Sequence, residues 1–354
     1  MASSFSPFDH KTKQRIISAA FAGDLQYLMK VVNEFDNGGG IGKALENVRD
    51  NTFGRNALLT AAARSNLDVC KFLVEQLNFN VNEQDVNGDT PLHISTLEED
   101  YATSAYLLDH GANCNITMDK GFTPLHYAAK RGRTNLLCLL ISKGAQVDVQ
   151  SRVGTPLHAA AAHGMSDAVE FLLENKANPN LACLNVLPSL MSAIYAKSKL
   201  CARLLIEWGA DPNVVSQGMT PLILAASEGQ TEIIKCLLRL GANPDLPNFY
   251  DSTPILIAAK LGNHADVIAL LLKTTPIPTI PDWSVRGIME YINSDEAHKK
   301  QALINEKKFY EAKAKGAESV KRGQYLEAAG WYSEAIILRP TNAAMLSKQK
   351  SLLG

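Results

Sequence analysis

The sequence predicts an all-α solenoid of stacked helix pairs, and three observations carry that prediction. A threonine recurs at 90, 123, 155, 220 and 253, at intervals of 33, 32, 65 and 33 residues. Each threonine opens the same order of signals: Pro, an apolar run, in most units Gly, a second apolar run, and in most units a second Gly. Hydrophobic residues make up 46% of the 354 and charged residues 20%, so the chain can bury a sizeable core. A period near 33 is the mark of units that cannot shield their apolar faces alone and so must stack.

The units follow in order. "QRIISAAFAGDLQYLMKVV" puts Gln14 in the threonine slot, with Ala19, Ala20 and Gly23 at the expected offsets, and is a degenerate first unit. "DNGGGIGKALENVRDNTFG" (36–54), with four glycines in five positions, reads as an insertion and a mobile loop on one face. "NALLTAAARSNLDVCKFLVEQL" puts Asn56 in the slot. Units at Thr90, Thr123 and Thr155 follow. The 65-residue gap divides at Pro188, where "PSLMSAIYAKSKLCARLLIEWGADPN" keeps the spacing without the letters; Thr220 and Thr253 open the last two. That makes about eight helix pairs over 7–273. In each, Thr supplies an N-cap oxygen for an orphan N–H, and Pro has the φ of a first helical turn. An Ala pair lets helices approach closely. Gly takes the left-handed conformation that stops a helix.

These markers, Thr-Pro-Leu-His at 90–93, 123–126 and 155–158, the Ala pairs, and "GANCN", "GAQVD", "GADPN" and "GANPD" at Gly111, Gly144, Gly209 and Gly241, resemble the ankyrin repeat family. Lys176 replaces the glycine in "KANPN". The resemblance implies a protein-binding module.

Three evenly spaced histidines also invite a catalytic or metal reading. Equivalent positions in stacked helices lie roughly 8–10 Å apart, whereas zinc needs each nitrogen within about 2.0–2.1 Å. His93, His126 and His158 therefore cannot share an ion, and Met191, Ile223 and Leu256 fill the same slot elsewhere. They read as scaffold bridging one unit to the next turn. The six cysteines form no Cys-x-x-Cys pair, and Cys70, Cys201 and Cys236 fall on apolar helical positions as small core residues. No cofactor is implied. A net charge of −1 offers no general field for nucleic acid or anionic lipid. No apolar run reaches membrane-spanning length, and "MASSFSPFDHKTKQ" has no signal core, which points to the cytoplasm or nucleus.

"KTTPIPTIPD" (273–282) cannot continue a helix. Residues 274–294 read as a Pro-rich linker, and 295–354 as a helical segment. Ser294 starts a helix that runs from Asp295 to about Arg322, Gly323 breaks it, and "YLEAAGWYSEAIILR" forms a second. Gly316, Ala328, Tyr332, Ala335 and Pro340 resemble one tetratricopeptide repeat over 309–342, although Ala312, Lys315 and Ser319 depart from the pattern of its first helix. The joint arrangement is similar to plant ankyrin–tetratricopeptide proteins, in which about three such units are expected. One unit implies a shortened form, or docking of the helix pair onto the array.

Enzyme signatures are lacking: no phosphate loop, G-x-S-x-G, H-E-x-x-H or kinase set. "GIGKA" (40–44) has only the Gly-Lys pair of a phosphate loop. Glu98, Glu99 and Asp100 read as solvated charge. The ankyrin resemblance places a partner-binding face on the turn tips and first-helix ends. Those positions hold Asp89, Leu97 and Glu98; Phe122, Lys130 and Arg131, with Arg133 alongside; Arg152 and His163; Tyr195 and Lys197; Met219 and Glu228; and Phe249, Tyr250 and Lys260. Exposed aromatics and arginine suit binding hot spots, and basic 130–133 beside acidic 98–100 gives the face polarity. The expected function is a non-enzymatic adaptor for a protein partner. The alternative is a co-chaperone: the tetratricopeptide resemblance implies that Lys313 takes the first position of the clamp for the acidic C-terminal peptide of a heat-shock chaperone, and Lys315, Lys321 and Arg322 add positive charge that would attract such a peptide. Ala317 stands where its carboxylate clamp needs Asn.

Overall fold

The computed structural model describes residues 8–35, 41–183, 186–339 and 349. Every regular element among them is a helix, apart from isolated bridges at Ser151–Gly154 and Ser216–Met219. The chain divides into two compact units, Met1–Asp211 and Pro212–Gly354. The division falls within the repeat series and not at the Pro-rich stretch.

In the first unit, α1 (His10–Ala22) pairs with α2 (Leu25–Phe35), and a short α3 (Gly42–Glu46) follows. Next, α4 (Ala57–Ala62) pairs with α5 (Leu67–Lys71), which runs on as one π-helical turn, Phe72–Gln76. Four regular pairs complete the unit: α6 (Pro91–Leu97) with α7 (Tyr101–Asp109), α8 (Pro124–Arg131) with α9 (Thr134–Ser142), α10 (Pro156–Ala162) with α11 (Ser166–Glu174), and α12 (Ser189–Tyr195) with α13 (Lys199–Glu207). First helices stack on first helices, from α4 through α6, α8 and α10 to α12, and second on second, from α7 through α9 and α11 to α13. Leu92, Leu125, Leu157 and Leu190, each two residues past its cap position, are buried between neighbours. Each such leucine contributes about 1.5–3 kcal/mol of transfer free energy. The Ala pairs at 128–129 and 160–161 are fully buried, as close helix approach requires. In α6, Ser95 and Thr96 replace the pair, and their buried hydroxyls bond to the Leu92 carbonyl.

The threonine slot works as read. Thr90 Oγ1 accepts from His93 N–H, while His93 Nδ1 accepts from Thr90 N–H at 3.2 Å. This is a reciprocal cap in which imidazole takes the place of the usual Glu or Gln. Thr123–His126 and Thr155–His158 repeat the backbone-to-ring bond at 3.1 and 3.3 Å. Gly132 ends α8 at φ 68°, which lets Arg133 N–H reach back to the Ala128 carbonyl.

A second link holds neighbours together. The Asn82 side chain donates to the Gly111 carbonyl and accepts from Asn113 N–H. Asn115 joins Gly144 and Gln146 in the same way, and Asn180 joins Gly209 and Asp211.

Several expectations are corrected. Asp9, not Gln14, caps the first helix, through a 2.8 Å bond from Thr12 N–H, so Gln14 lies inside α1. Residues 36–40 of the insertion lie outside the described residues. The rest of it is packed: Leu45 and Val48 are buried, Arg49 donates to the Gly54 and Gln84 carbonyls, and Gly42 sits so close to the Leu77 carbonyl that a Cβ would clash at 2.1 Å. Of the 98–100 cluster only Glu98 is fully exposed. Asp100 caps α7 by accepting from Thr103 N–H, and Glu99, at φ 62°, is paired with Arg133.

In the second unit, α14 (Pro221–Ser227) pairs with α15 (Thr231–Arg239), and α16 (Pro254–Lys260) with α17 (His264–Leu271). Within the expected linker lies α18 (Val285–Ile292), capped by Ser284 and packed on α16 and α17 through buried Ile288 and Ile292. Apolar spacing outweighs the nearby prolines, all of which precede it. Then α19 (Asp295–Lys321), capped by Ser294, folds against α20 (Tyr325–Leu338). Their seam is Phe309, Ala312, Gly316, Tyr332 and Ala335, and a Cβ on Gly316 would meet the Tyr332 ring at 2.7 Å. Pro340 and the residues up to 342 lie outside the described part.

Candidate functional site

The turn tips of the first unit are joined by backbone bonds from repeat to repeat: Val86 N–H to Phe53, Asp119 N–H to Asn87, and Arg152 N–H to Lys120, each at 3.1 Å. Of the candidate residues on these tips and first-helix ends, Lys130, Arg131, Arg152, His163, Tyr195, Lys197 and Glu98 are exposed. Leu97 is half-buried. Phe122 is half-buried and stacked on Tyr127 at 5.8 Å, and its carbonyl accepts from His93 Nε2–H at 3.2 Å, so it serves the scaffold as well as the surface. Asp89 is half-buried; burial, then the neighbouring Asp85 charge, pushes its carboxyl up to about 6. Arg133 is exposed but bound to Glu99, so the basic cluster at 130–133 presents two free cations, not three.

In the second unit, Met219 is half-buried beside the tip bridge and Glu228 is exposed. Phe249, Tyr250 and Lys260 are already engaged by the chain's own tail. Lys260 Nζ donates to Gln301 Oε1 at 2.8 Å, Tyr250 Oη donates to Glu334 at 3.4 Å, and Lys308 lies 5.2 Å over the Phe249 ring while pairing with Asp251 at 3.6 Å. Phe249 and Tyr250 are thus half-buried, and Lys260, although exposed, is already hydrogen-bonded to the tail. Among the tail lysines, Lys313 and Lys321 are exposed, and Lys315 lies 4.4 Å over the Trp331 ring.

The histidines are buried and dispersed. Burial pulls His93, His126 and His158 down to about 4, so all three are neutral near neutral pH. With Nδ1 accepting from threonine N–H, Nε2 carries the proton; it donates to Phe122 from His93 and to Gly154 from His126. His158 Nε2 is buried with no partner among the described residues. Among the described residues no group of three or more His, Cys, Asp or Glu is placed to hold a metal. None of their helices is long and apolar enough to cross a membrane. Cys70 is buried, which pushes its thiol up to about 12.

Two features escaped the sequence reading. The Glu99–Arg133 pair joins the ninth residue after one threonine to the tenth after the next, a signal visible only when the units are aligned. The tail's contacts span up to 84 residues and leave no periodic trace.

A family model described as ankyrin repeats (3 copies) matches residues 16–118, 106–183, 125–216 and 190–282. The chain is 28% identical over 221 residues to ankyrin repeat protein nuc-2 of Neurospora crassa, covering 61% of this chain and 20% of that protein. It is 29% identical over 209 residues to the human ankyrin repeat and SOCS box protein 16, covering 56% of this chain and 46% of that one. The chain thus spans less than half the length of these curated relatives. The crystal structure of the human ASB11 ankyrin repeat domain superposes with a TM-score of 0.57 at 30% identity, covering 63% of this chain and all of that one. Repeat letters, stacked helix pairs and family model agree, and the chain belongs to the ankyrin repeat family.

Proposed function

We propose that this protein is a non-enzymatic adaptor of the cytoplasm or nucleus that holds a protein partner on the tips and first-helix ends of its first unit. Ankyrin-repeat domains generally mediate protein–protein interaction. The observation that supports this assignment is the contrast between the units: the tail covers the aromatic tip at Phe249–Tyr250, whereas Lys130, Arg131, Tyr195 and Lys197 stand exposed. The α19–α20 hairpin is read as one tetratricopeptide-like unit, supported by Gly316 against Tyr332 and by the buried Ala328 and Ala335. The co-chaperone alternative has weaker support, because Lys315 is spent on Trp331 and Ala317 offers no amide.

The test is affinity capture from native cells with the full chain, its Lys130→Glu/Arg131→Glu variant, and Lys235→Glu on α15 as control. Loss of a defined set of proteins from the double variant alone, with thermal melts unchanged, is expected. Identical captures from all three would refute the assignment. Adding a heat-shock chaperone tail peptide addresses the alternative: no signal with the native chain or with Ala317→Asn removes it.

A further inference from the structure

The chain has twelve arginines. Eight pair with a carboxylate, Arg64 lies over the Phe21 ring, and Arg239 donates to a backbone carbonyl. Only Arg131 and Arg152 have no side-chain partner among the described residues. Both lie on the proposed face, in consecutive repeats. Lys120, Lys130 and Lys197 on the same face are likewise exposed and without an ion pair. Arg152 and Lys120 occupy equivalent tip positions, and the Arg152 N–H to Lys120 carbonyl bond places the two backbones side by side.

Carboxylates avoid this stretch. Between Lys120 and Lys197 the acidic residues are Asp148, Asp167, Glu170 and Glu174, all on the second helix of a pair or in the loop after one. Asp119, beside Lys120, is the nearest tip carboxylate; Glu99 is consumed by Arg133. The result is a band of cations without an ion pair among the described residues, across three repeats of a chain whose net charge is −1. A guanidinium fork matches a carboxylate with two parallel hydrogen bonds, which gives geometric preference as well as charge.

We infer that this band is the docking surface for an extended, acidic segment of a partner protein, whose Asp and Glu side chains meet Arg131 and Arg152 with Lys120, Lys130 and Lys197 flanking them. This rests on the proposed binding face and adds the chemistry of its occupant. The geometry also sets a register. First-helix ends advance roughly 8–10 Å per repeat, and a segment in the extended polyproline II conformation rises about 3.1 Å per residue with about three residues per turn, so every third side chain returns to the same side. Carboxylates about three residues apart therefore keep step with successive repeats. A nucleic acid fits less well, because the overall charge balance supplies no wider field to hold a polyanion.

The experiment pans a displayed random-peptide library against the full chain. Selected peptides are then synthesised and titrated by fluorescence anisotropy against the native chain, Arg131→Glu/Arg152→Glu and Lys235→Glu. Enrichment of Asp and Glu at intervals near three is expected, with affinity falling about tenfold or more in the double variant, unchanged in the α15 control, and weaker at high salt. Should the double variant melt early, Arg131→Gln/Arg152→Gln replaces it. Peptides without acidic enrichment, or bound equally by the double variant, overturn the inference while leaving a peptide-binding face. No enrichment on the native chain overturns both. A single-stranded DNA that binds more tightly than the best peptide, and displaces it, overturns the inference in favour of nucleic acid.

Discussion

Replacing His126 by Leu should flatten the acid limb of the protein's stability curve, and the size of the effect follows from the structure. His126 is buried, accepts from Thr123 N–H at 3.1 Å, and faces the Gly154 carbonyl at 3.1 Å. Its folded value is about 4, against an ordinary 6.5. The folded chain thus binds fewer protons than the unfolded chain between these values, so stability is full above 6.5, falls as pH drops through that window, and levels off below about 4. A displacement of this size corresponds to about 3 kcal/mol per histidine over the whole window, and about 2 kcal/mol at pH near 5. His93 and His158, also at about 4, add to the limb in the same direction. Asp89 opposes it: its carboxyl, raised to about 6, binds an extra proton in the folded state between roughly 4 and 6. Because Asp89 is common to both proteins, the difference between native and variant isolates one imidazole. Leu is compatible with the slot, as Leu256 shows. At neutral pH the variant still loses a buried hydrogen-bonding link, at a cost of about 1–3 kcal/mol. Urea unfolding followed by circular dichroism from about pH 7.5 to 4.5 gives both quantities. The variant should start less stable and lose less on acidification, so that the two curves converge. Parallel curves would show that His126 is not the buried neutral group described, and the reasoning would fail.

Two substitutions test other parts of the scaffold. Asp148 occupies the position that Asn82, Asn115, Asn180 and Asn213 use to donate across to the next repeat, but it only accepts, from Asn178 N–H. Asp148→Asn restores a donor opposite the Lys176 carbonyl and should raise stability by about 1 kcal/mol in urea unfolding at neutral pH, whereas Asn115→Ala should lower it by a similar amount or more; no gain from the first would mean that the loop cannot close that bond. Lys197 is held at φ 55° in the slot where Gly132, Gly164, Gly229 and Gly262 sit, and its side chain has no partner among the described residues. Lys197→Gly should therefore raise the melting temperature by relieving about 1 kcal/mol of backbone strain, and an unchanged or lower melt would show that the lysine carries a stabilising contact.

The fold was legible because its punctuation has no chemical substitute. A helix start wants an oxygen for its free N–H, which Thr90, Thr155 and Thr220 provide, and a left-handed stop is least costly for glycine, as at Gly132. Where letters lapsed, the backbone kept the same conformation at a cost: Ser65, Glu99, Lys176 and Lys197 all adopt positive φ in glycine positions. Period alone therefore located units that residue identity would have missed. The same logic explains why the packing of 41–54 and the helix at Val285–Ile292 were not legible. Their packing residues, Leu45 and Val48 in one and Ile288 and Ile292 in the other, are too few to set up a periodicity, although each is buried.

The proposed binding face was legible only in outline, for a different physical reason. Exposure is a negative property, settled by whatever else the chain brings to the surface. Phe249, Tyr250 and Lys260 share the equivalent positions of Arg131's face, and nothing in the repeat distinguishes them; α19, arriving from some fifty residues on, engages them through Gln301 and Lys308, although Lys260 stays exposed. Arg133 has the same composition and neighbourhood as Arg131, yet one finds Glu99 and the other finds no partner. A side chain that the fold leaves unsatisfied costs little in water and gains most when a partner of opposite charge arrives. The informative residues on a repeat surface are thus the ones the scaffold does not use, and subtracting the internal pairs narrows the broad face to the cations around Arg131 and Arg152.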